Sequence, residues 1–300
     1  MIDRGEMTKE PSISQRAEAN TRPPRRRIDT HVHVYRIDNR ADLHPLRNAS
    51  VAIPEQSAPV EWLIEDLRDY GIASAVLVQH SALGADNSYL IECLERFPRT
   101  FQAIGLVEPF DPAIAEAMAT WARAGIIGFR FHLFYPGMDH WLESDEARHA
   151  FGAASDLGMI LQFHMVPENA APLAAMLKRY PDVRVIIDHL AKPDVTEPSP
   201  YPRFQPVLRL AEHEACIIKI GDYEKASTLP YPWPDTWPFV ELLRNSFSAE
   251  RMIWGTGFPR AHRKVPLDEA LAYVEADLRL SPHEREAIFW ETPRRWFGLS

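Results

Sequence analysis

Short apolar runs alternate with amphipathic stretches along most of this chain. Eight of the apolar runs have the length of a strand, and most are apolar throughout, which is typical of parallel strands buried on both faces. They cover residues 26–30, 74–78, 101–107, 126–131, 159–163, 183–187, 215–220 and 251–254. Between them, apolar residues recur at helical spacing, in series that begin at Val60, Leu173 and Leu267. Eight strands, each followed by a helix, predict an α/β fold with a single closed (β/α)8 barrel, the TIM barrel.

The chain divides into a short tail and one barrel domain. Residues 1–25 are polar, so we expect a partly disordered tail, with the barrel spanning 26–300. An open doubly wound sheet is the alternative fold, but it usually carries a glycine-rich turn after its first strand. Here the first strand runs into His31-Val32-His33 instead. The long segments that follow strands are expected at the barrel end that carries active sites, and they cover residues 36–59, 193–203 and 221–238.

Charge and cysteine content narrow the classes of partner. The 42 acidic and 33 basic residues give a net charge of −9, and an acidic surface repels nucleic-acid phosphates. No apolar segment is long enough for a signal sequence or a membrane span, so we expect no membrane partner. The two cysteines, Cys93 and Cys216, suggest no disulfide framework and fit a reducing compartment, the cytoplasm. We therefore expect a small-molecule substrate, and a homo-oligomer is left open.

Four histidines lie just after predicted strands. His31 and His33 follow the first strand, His164 follows the fifth, and His189 follows the sixth. Residues two apart on a strand point to the same side, and all strand ends of a barrel meet at one mouth. Imidazole is a common ligand for zinc and also moves protons near neutral pH. The sequence therefore predicts that these four rings meet in one pocket.

Six short motifs carry a resemblance to a known family. They read I-D-T-H-V-H at 28–33, D-N-S-Y-L at 86–90, G-F-R-F-H at 128–132, D-H-L-A-K-P at 188–193, W-G-T-G-F-P at 254–259 and T-P-R-R-W-F-G-L at 292–299. In this order they resemble the amidohydrolase-2 branch of the amidohydrolase superfamily. Within it, the chain looks like the sugar-lactonase and 2-pyrone-4,6-dicarboxylate lactonase group. The resemblance extends from about residue 28 to the end of the chain.

The resemblance implies a hydrolase that adds water to an activated carbonyl. The expected substrate is a lactone or related ester that bears a carboxylate or a polyol. His31 and His33 would be metal or substrate ligands, His164 would be a third ligand, and His189 would polarise the substrate. One divalent metal is implied, zinc before others, although some members of this group work without a metal.

One position departs from the family pattern. The family usually has Asp where this chain has Gly257, and that Asp activates the hydrolytic water. Two acidic residues are substitutes for this catalytic base. Asp222 follows the seventh strand, where the family commonly has Gly, and Glu108 ends the third strand. A carboxylate beside histidines can serve as a general base, and we place Asp222 before Glu108. The alternatives are a turn aspartate and a strand-end ion pair.

Three further residues are candidates for substrate binding. Arg130 ends the fourth strand and Lys219 lies in the seventh, where a cation suits a carboxylate or a developing oxyanion. The alternative for Arg130 is a structural bridge to Glu108 or Asp188. Gln79 follows the second strand beside His80, and we expect one of this pair to line the pocket. Besides hydrolysis, two functions remain open: a metal-assisted decarboxylase, and a catalytically silent relative that binds a small acid, which the loss of Asp at 257 would favour.

Overall fold

Eight parallel strands pair in sequence order to form the barrel wall. In this computed structural model the described residues are 26–37, 53–259, 266–267, 271, 273–274 and 278–299. The strands are β1 Ile28–Val32, β2 Ser74–Val78, β3 Phe101–Gly105, β4 Gly128–His132, β5 Ile160–His164, β6 Arg184–Ile187, β7 Cys216–Ile220 and β8 Met252–Trp254. All eight predicted strands are present, and the (β/α)8 barrel is confirmed.

Helices follow the strands around the outside of the barrel. They are α1 Val60–Asp69, α2 Ser88–Arg96, α3 Ile114–Ala124, α4 Asp145–Leu157, α5 Ala170–Arg179, α6 Gln205–Arg209, α7 Tyr223–Ala226, α8 Trp237–Phe247, α9 Pro282–Glu286 and α10 Thr292–Phe297. The predicted tail 1–25 and most of the helix predicted after Leu267 lie outside the described residues. No helix in the described part of the chain is long and apolar enough to cross a membrane.

Sequence signals at the helix ends explain where these helices start and stop. Ser144 precedes α4, and its hydroxyl accepts a hydrogen bond from the Ala147 amide, which caps the first turn. The same helix ends at Gly158, whose φ of 64° is the left-handed conformation that glycine adopts without strain. Such caps fix where each helix delivers the chain to the next strand.

The barrel closes between β1 and the segment after β8. Val32 forms a parallel bridge with Phe258, and the His33 amide donates to the Phe258 carbonyl oxygen at 2.9 Å. The Asp29 carboxylate accepts from the Thr256 amide at 2.9 Å. Because Asp29 also accepts from the amide of His31 at 3.1 Å, this closure fixes the backbone that carries the first histidine.

The barrel interior has two layers of different chemistry. The lower layer is apolar and is formed by Ile28, Val76, Val78, Ile104, Ile160, Ile186, Ile217 and Ile253. The C-terminal residues Trp290, Trp296, Phe297 and Leu299 pack against it. Two residues further along three of these strands, the side chains are instead Gln162, Asp188 and Lys219, all fully buried. Residues i and i+2 of a strand share a face, so this second layer is polar and lies directly above the apolar one.

Candidate active site

Six histidine rings form an arc at the carboxyl ends of the strands. The neighbouring ring centroids along this arc are His80–His33 at 5.2 Å, His33–His31 at 4.8 Å, His31–His189 at 4.6 Å, His189–His164 at 4.9 Å and His164–His132 at 5.5 Å. The structure therefore brings together the four histidines expected to meet. His132 was not assigned a role, and His80 was expected only as one of the pair with Gln79 to line the pocket, although both lie at strand ends as the other four do.

Asp188 is the centre of the polar layer beneath the arc. Its Oδ2 accepts from Arg130 Nε at 2.7 Å and from Gln162 Nε2 at 3.0 Å, and Lys219 Nζ lies 3.1 Å from its Oδ1. Burial alone would raise the pKa of this carboxyl group, but Lys219 and Arg130 outweigh burial and hold the pKa well below its ordinary 3.8. Asp188 is therefore ionised, and it anchors two cations under the histidines.

Five of the six histidines, all but His80, are held neutral at neutral pH. Burial is the largest cause, and the charge of Arg130 acts in the same direction. The pKa falls well below the ordinary 6.5 for His31, His33, His132 and His164. For His189, burial lowers the pKa to about 4 although two nearby carboxylates oppose it. A neutral imidazole has one N–H donor and one acceptor nitrogen, so the hydrogen-bond partners decide where each proton lies.

Arg130 sets the tautomers of two of these rings. Its Nη2 lies 3.2 Å from His164 Nδ1 and 3.3 Å from His189 Nε2. A guanidinium group can only donate, so both of these imidazole nitrogens must accept. The proton of His164 is therefore on Nε2, and the proton of His189 is on Nδ1.

Lys219 sets the tautomer of His31 in the same way. Its ammonium group lies 3.1 Å from His31 Nδ1, which must accept, so the proton of His31 is on Nε2. His33 Nδ1 donates to the Val78 carbonyl oxygen at 2.7 Å, which leaves His33 Nε2 as an acceptor. The two Nε2 atoms are 3.2 Å apart, so His31 donates to His33 across the mouth.

Asp222 occupies the space beside Gly257. A Cβ atom at Gly257 would lie 2.8 Å from Asp222 Oδ1, and Gly257 has a φ of 67°. Asp222 Oδ2 lies 3.5 Å from His189 Nδ1 and accepts from Lys225 Nζ at 2.7 Å. Burial would raise the pKa of Asp222, but His189 and then Lys225 outweigh it, so the pKa lies below 3.8. An ionised carboxylate thus lies where a side chain at 257 would begin.

The other residues expected to bind substrate or act as a base lie around this centre. Lys219 is fully buried and Arg130 is 5% exposed, and both contact Asp188. The amide group of Gln79 donates to the backbone oxygens of Gly84 and Asp86, so its donors hold the loop after β2. Glu108 is partly buried and follows β3 at the same end of the barrel.

Comparison with known proteins identifies the family of this chain. The sequence profile described as amidohydrolase matches residues 28–299. A 4-sulfomuconolactone hydrolase from Rhizobium radiobacter is 23% identical over 280 residues, covering 92% of this chain and 91% of that protein. An L-fucono-1,5-lactonase from Burkholderia ambifaria is 26% identical over 273 residues, covering 88% and 92%. The chain belongs to the amidohydrolase family and is a hydrolase, as the sequence predicted.

Solved structures show the same fold. A crystal structure of an amidohydrolase from Burkholderia multivorans with bound zinc superposes with a TM-score of 0.76 at 20% identity, covering 91% of this chain and 99% of that one. Amidohydrolases are typically metal-dependent. In the described part of this chain, His31, Asp188 and His189 each present a ligand atom, and these atoms lie within 4.8 Å of one another.

The three histidines predicted as metal ligands are not arranged to bind a divalent ion, even though the residue types would suit one. A metal needs unprotonated nitrogen lone pairs. Of the three histidines predicted as ligands, His31 and His164 have their acceptor nitrogens bonded to Lys219 and Arg130. The third, His33, has its Nε2 lone pair directed at the Nε2 proton of His31. The eighth strand also lacks the carboxylate that would complete a shell, because residue 257 is glycine.

Proposed function

We propose that this hydrolase opens a lactone ring, with Asp222 as the general base that activates water. The observation that carries the proposal is the position of the Asp222 carboxylate, 2.8 Å from where a Cβ at Gly257 would lie. The family's usual Asp side chain would begin at that Cβ position. In this chain Asp222, which follows the neighbouring strand β7, supplies the carboxylate instead. The two relatives described above are both named for lactone hydrolysis, which favours a lactone that carries an anionic or polyol substituent.

His164 and Asp222 have complementary roles in such a reaction. His164 is partly exposed at the mouth, and its Nε2–H can donate to the lactone carbonyl oxygen. Asp222 takes a proton from water as the water oxygen attacks the carbonyl carbon. When the tetrahedral intermediate collapses, the ring C–O bond breaks and the alkoxide oxygen takes the proton back from Asp222. Lactone plus water gives a hydroxy acid, and every proton is accounted for.

His189 supports this chemistry through Asp222. Its proton is on Nδ1, which lies 3.5 Å from Asp222 Oδ2 without forming a hydrogen bond, so the N–H dipole stabilises the charge of the carboxylate. Around the site, the cations Arg130, Lys219 and Lys225 are matched by three carboxylates, those of Asp29, Asp188 and Asp222. The cations Arg130 and Lys219, fixed beneath the histidines, favour the oxyanion of the intermediate in a site of low polarity. Arg130 and Lys219 act through their own charges, because their bonded donors already contact Asp188 and the histidines.

Asp222→Asn tests the base directly. General-base catalysis is typically worth 10²–10⁴-fold, so we expect kcat on a panel of sugar and acidic lactones to fall by about a hundredfold or more. Asp156→Asn, which removes an exposed carboxylate from α4, is the matched control and should keep full activity. Full activity of Asp222→Asn would refute the assignment of the base.

The remaining alternatives separate in the same assays. If Asp222→Asn is active and Glu108→Gln is inactive, Glu108 is the base instead. Release of CO₂ from an aromatic or acidic substrate without lactone hydrolysis would identify a decarboxylase. Tight binding of a small acid with no turnover of any kind would identify a silent relative.

A further inference from the structure

We propose that the guanidinium group of Arg130 takes the place of a divalent ion in this site and fixes His164 as a hydrogen-bond donor toward the substrate. The metal-free arrangement stands on the geometry alone. Only the role of His164 toward a lactone carbonyl rests on the proposed function.

Arg130 contacts the same kinds of side chain that would bind a metal ion. Its Nε donates to Asp188 at 2.7 Å, while a single nitrogen, Nη2, donates to His164 Nδ1 and His189 Nε2 at 3.2 and 3.3 Å. One carboxylate and two imidazoles, from β5 and from the segment directly after β6, thus converge on one guanidinium group. Carboxylate and imidazole are also the side chains that protein zinc sites use.

The guanidinium and a metal ion exclude each other here. Zinc lies about 2.0–2.1 Å from an imidazole nitrogen, along the direction of its lone pair. Because Nη2 already lies on the lone pairs of His164 and His189, a zinc ion bound to either nitrogen would fall roughly 1 Å from Nη2. Arg130 is 5% exposed and contacts the buried Asp188, so moving it out would leave that carboxylate with one cation fewer.

The surrounding charge opposes a further cation. Lys219 is fully buried and lies 3.1 Å from both Asp188 Oδ1 and His31 Nδ1. Two cations therefore already contact Asp188 before any metal is added. A divalent ion bound to these histidines would lie directly beside both cations, and repulsion between cations is strong where water is excluded.

The arrangement has a chemical consequence at the mouth. Because Arg130 can only donate, His164 Nδ1 accepts and the ring proton stays on Nε2. In the described part of the chain, His164 Nε2 has no hydrogen-bond partner, and the ring packs against Phe134 with a centroid distance of 4.6 Å. Arg130 is thus a positioning residue, because it acts on a substrate oxygen through His164.

Two measurements on the wild-type protein test the inference without any variant. Elemental analysis of protein purified without added metal should find well below one equivalent of zinc. Dialysis of that protein against a chelator should leave its free energy of unfolding and its turnover unchanged. The ¹⁵N resonances of the histidine rings should show His164 protonated on Nε2 and His189 protonated on Nδ1. One full equivalent of zinc, or His164 protonated on Nδ1, would overturn the inference.

Arg130→Ser provides the complementary test, and the surface variant Arg148→Ser is its control. Removing the guanidinium frees two imidazole nitrogens and removes one positive charge. We expect zinc titrated into Arg130→Ser to bind about tenfold or more tightly than into wild type. Arg148→Ser should bind zinc as wild type does. Unchanged zinc affinity in a folded Arg130→Ser would contradict the exclusion of metal by Arg130.

The outcomes separate this inference from the proposed function. If lactones are hydrolysed only after zinc is added, the metal-free site is wrong and the lactone hydrolase stands. If the metal content and ring tautomers are as stated but no lactone is turned over, the metal-free site stands and the proposed function fails.

Discussion

The two interior layers of the barrel come from the same strands, yet their chemistry is opposite. On β7, Ile217 belongs to the lower layer and Lys219 to the upper one, and both are fully buried. The lower layer gains free energy from apolar burial alone, at roughly 25 cal/mol per Å². The upper layer buries charges, which is costly unless they are paired. The comparison suggests that the lower layer holds the barrel together, while the upper layer gives up stability to arrange its histidines.

The largest effect on stability should come from Asp188, whose negative charge offsets the buried cations of the upper layer. Asp188→Asn removes the negative charge between Arg130 and Lys219 and leaves two buried cations without their shared partner. Breaking a buried ion pair from one side typically costs about 3–5 kcal/mol, so we expect a loss of that size in the free energy of unfolding. Urea denaturation measures it, with Asp156→Asn as control. A loss below about 1 kcal/mol would show that Asp188 is not the centre of the layer.

A substitution in the lower layer should lower the free energy of unfolding and leave the turnover number unchanged. Ile217→Ala deletes buried methyl and methylene groups, which typically costs about 2–5 kcal/mol. The turnover number of the folded fraction should stay within about twofold of wild type, since a change of that size is under half a kcal/mol in the barrier. Leu229→Ala, at a residue 47% exposed, is the control and should change neither quantity. A selective fall in turnover for Ile217→Ala would erase the distinction between the layers.

Most of the fold was predictable because each strand is short and mostly apolar between polar segments. The ends of β1 were shifted because Asp29, Thr30 and His31 interrupt the apolar pattern although all three are buried. The barrel topology then brings together the strand-end histidines, so their convergence followed from the predicted strands.

Side-chain pairing was harder to predict, because it depends on rotamers rather than on spacing. The sequence allowed Asp188 only as one alternative partner of Arg130, and did not show that Lys219 and Gln162 meet it as well. It also could not say which of Gln79 and His80 would line the pocket. In the structure Gln79 donates to the loop after β2, while the His80 ring faces His33.

The position of the base can be moved between two strands as a sharper test of the upper layer. Gly257→Asp alone places a Cβ 2.8 Å from Asp222 Oδ1 and adds a like charge, so we expect it to impair activity. Adding Asp222→Gly frees that space and restores the usual family arrangement. The double variant should be about tenfold or more active than Asp222→Gly alone, which corresponds to about 1.4 kcal/mol in the barrier. If the double variant is no better than the single, the two sites do not exchange.

The smallest effect should come from the exposed side of the same carboxylate. Lys225 is 57% exposed and donates to Asp222 Oδ2, and its charge helps to keep the pKa of Asp222 below 3.8. A base acts when it is deprotonated, so a low pKa preserves activity as the pH falls. Lys225→Met removes the cation, raises the pKa of Asp222 and should move the acid limb of kcat/KM to higher pH.

The pH profile distinguishes two roles for Lys225: lowering the pKa of Asp222, or contacting the substrate directly. Because His189 is a larger cause of the lowered pKa than Lys225, kcat/KM at pH 7 should change by less than about threefold. Screening of an exposed charge by salt should shift the wild-type limb in the same direction as the variant, and the exposed Lys178→Met should shift nothing. A limb that stays in place or moves to lower pH would mean that Asp222 is not the titrating base. A large loss of activity at pH 7 with an unmoved limb would instead make Lys225 a direct contact of the substrate.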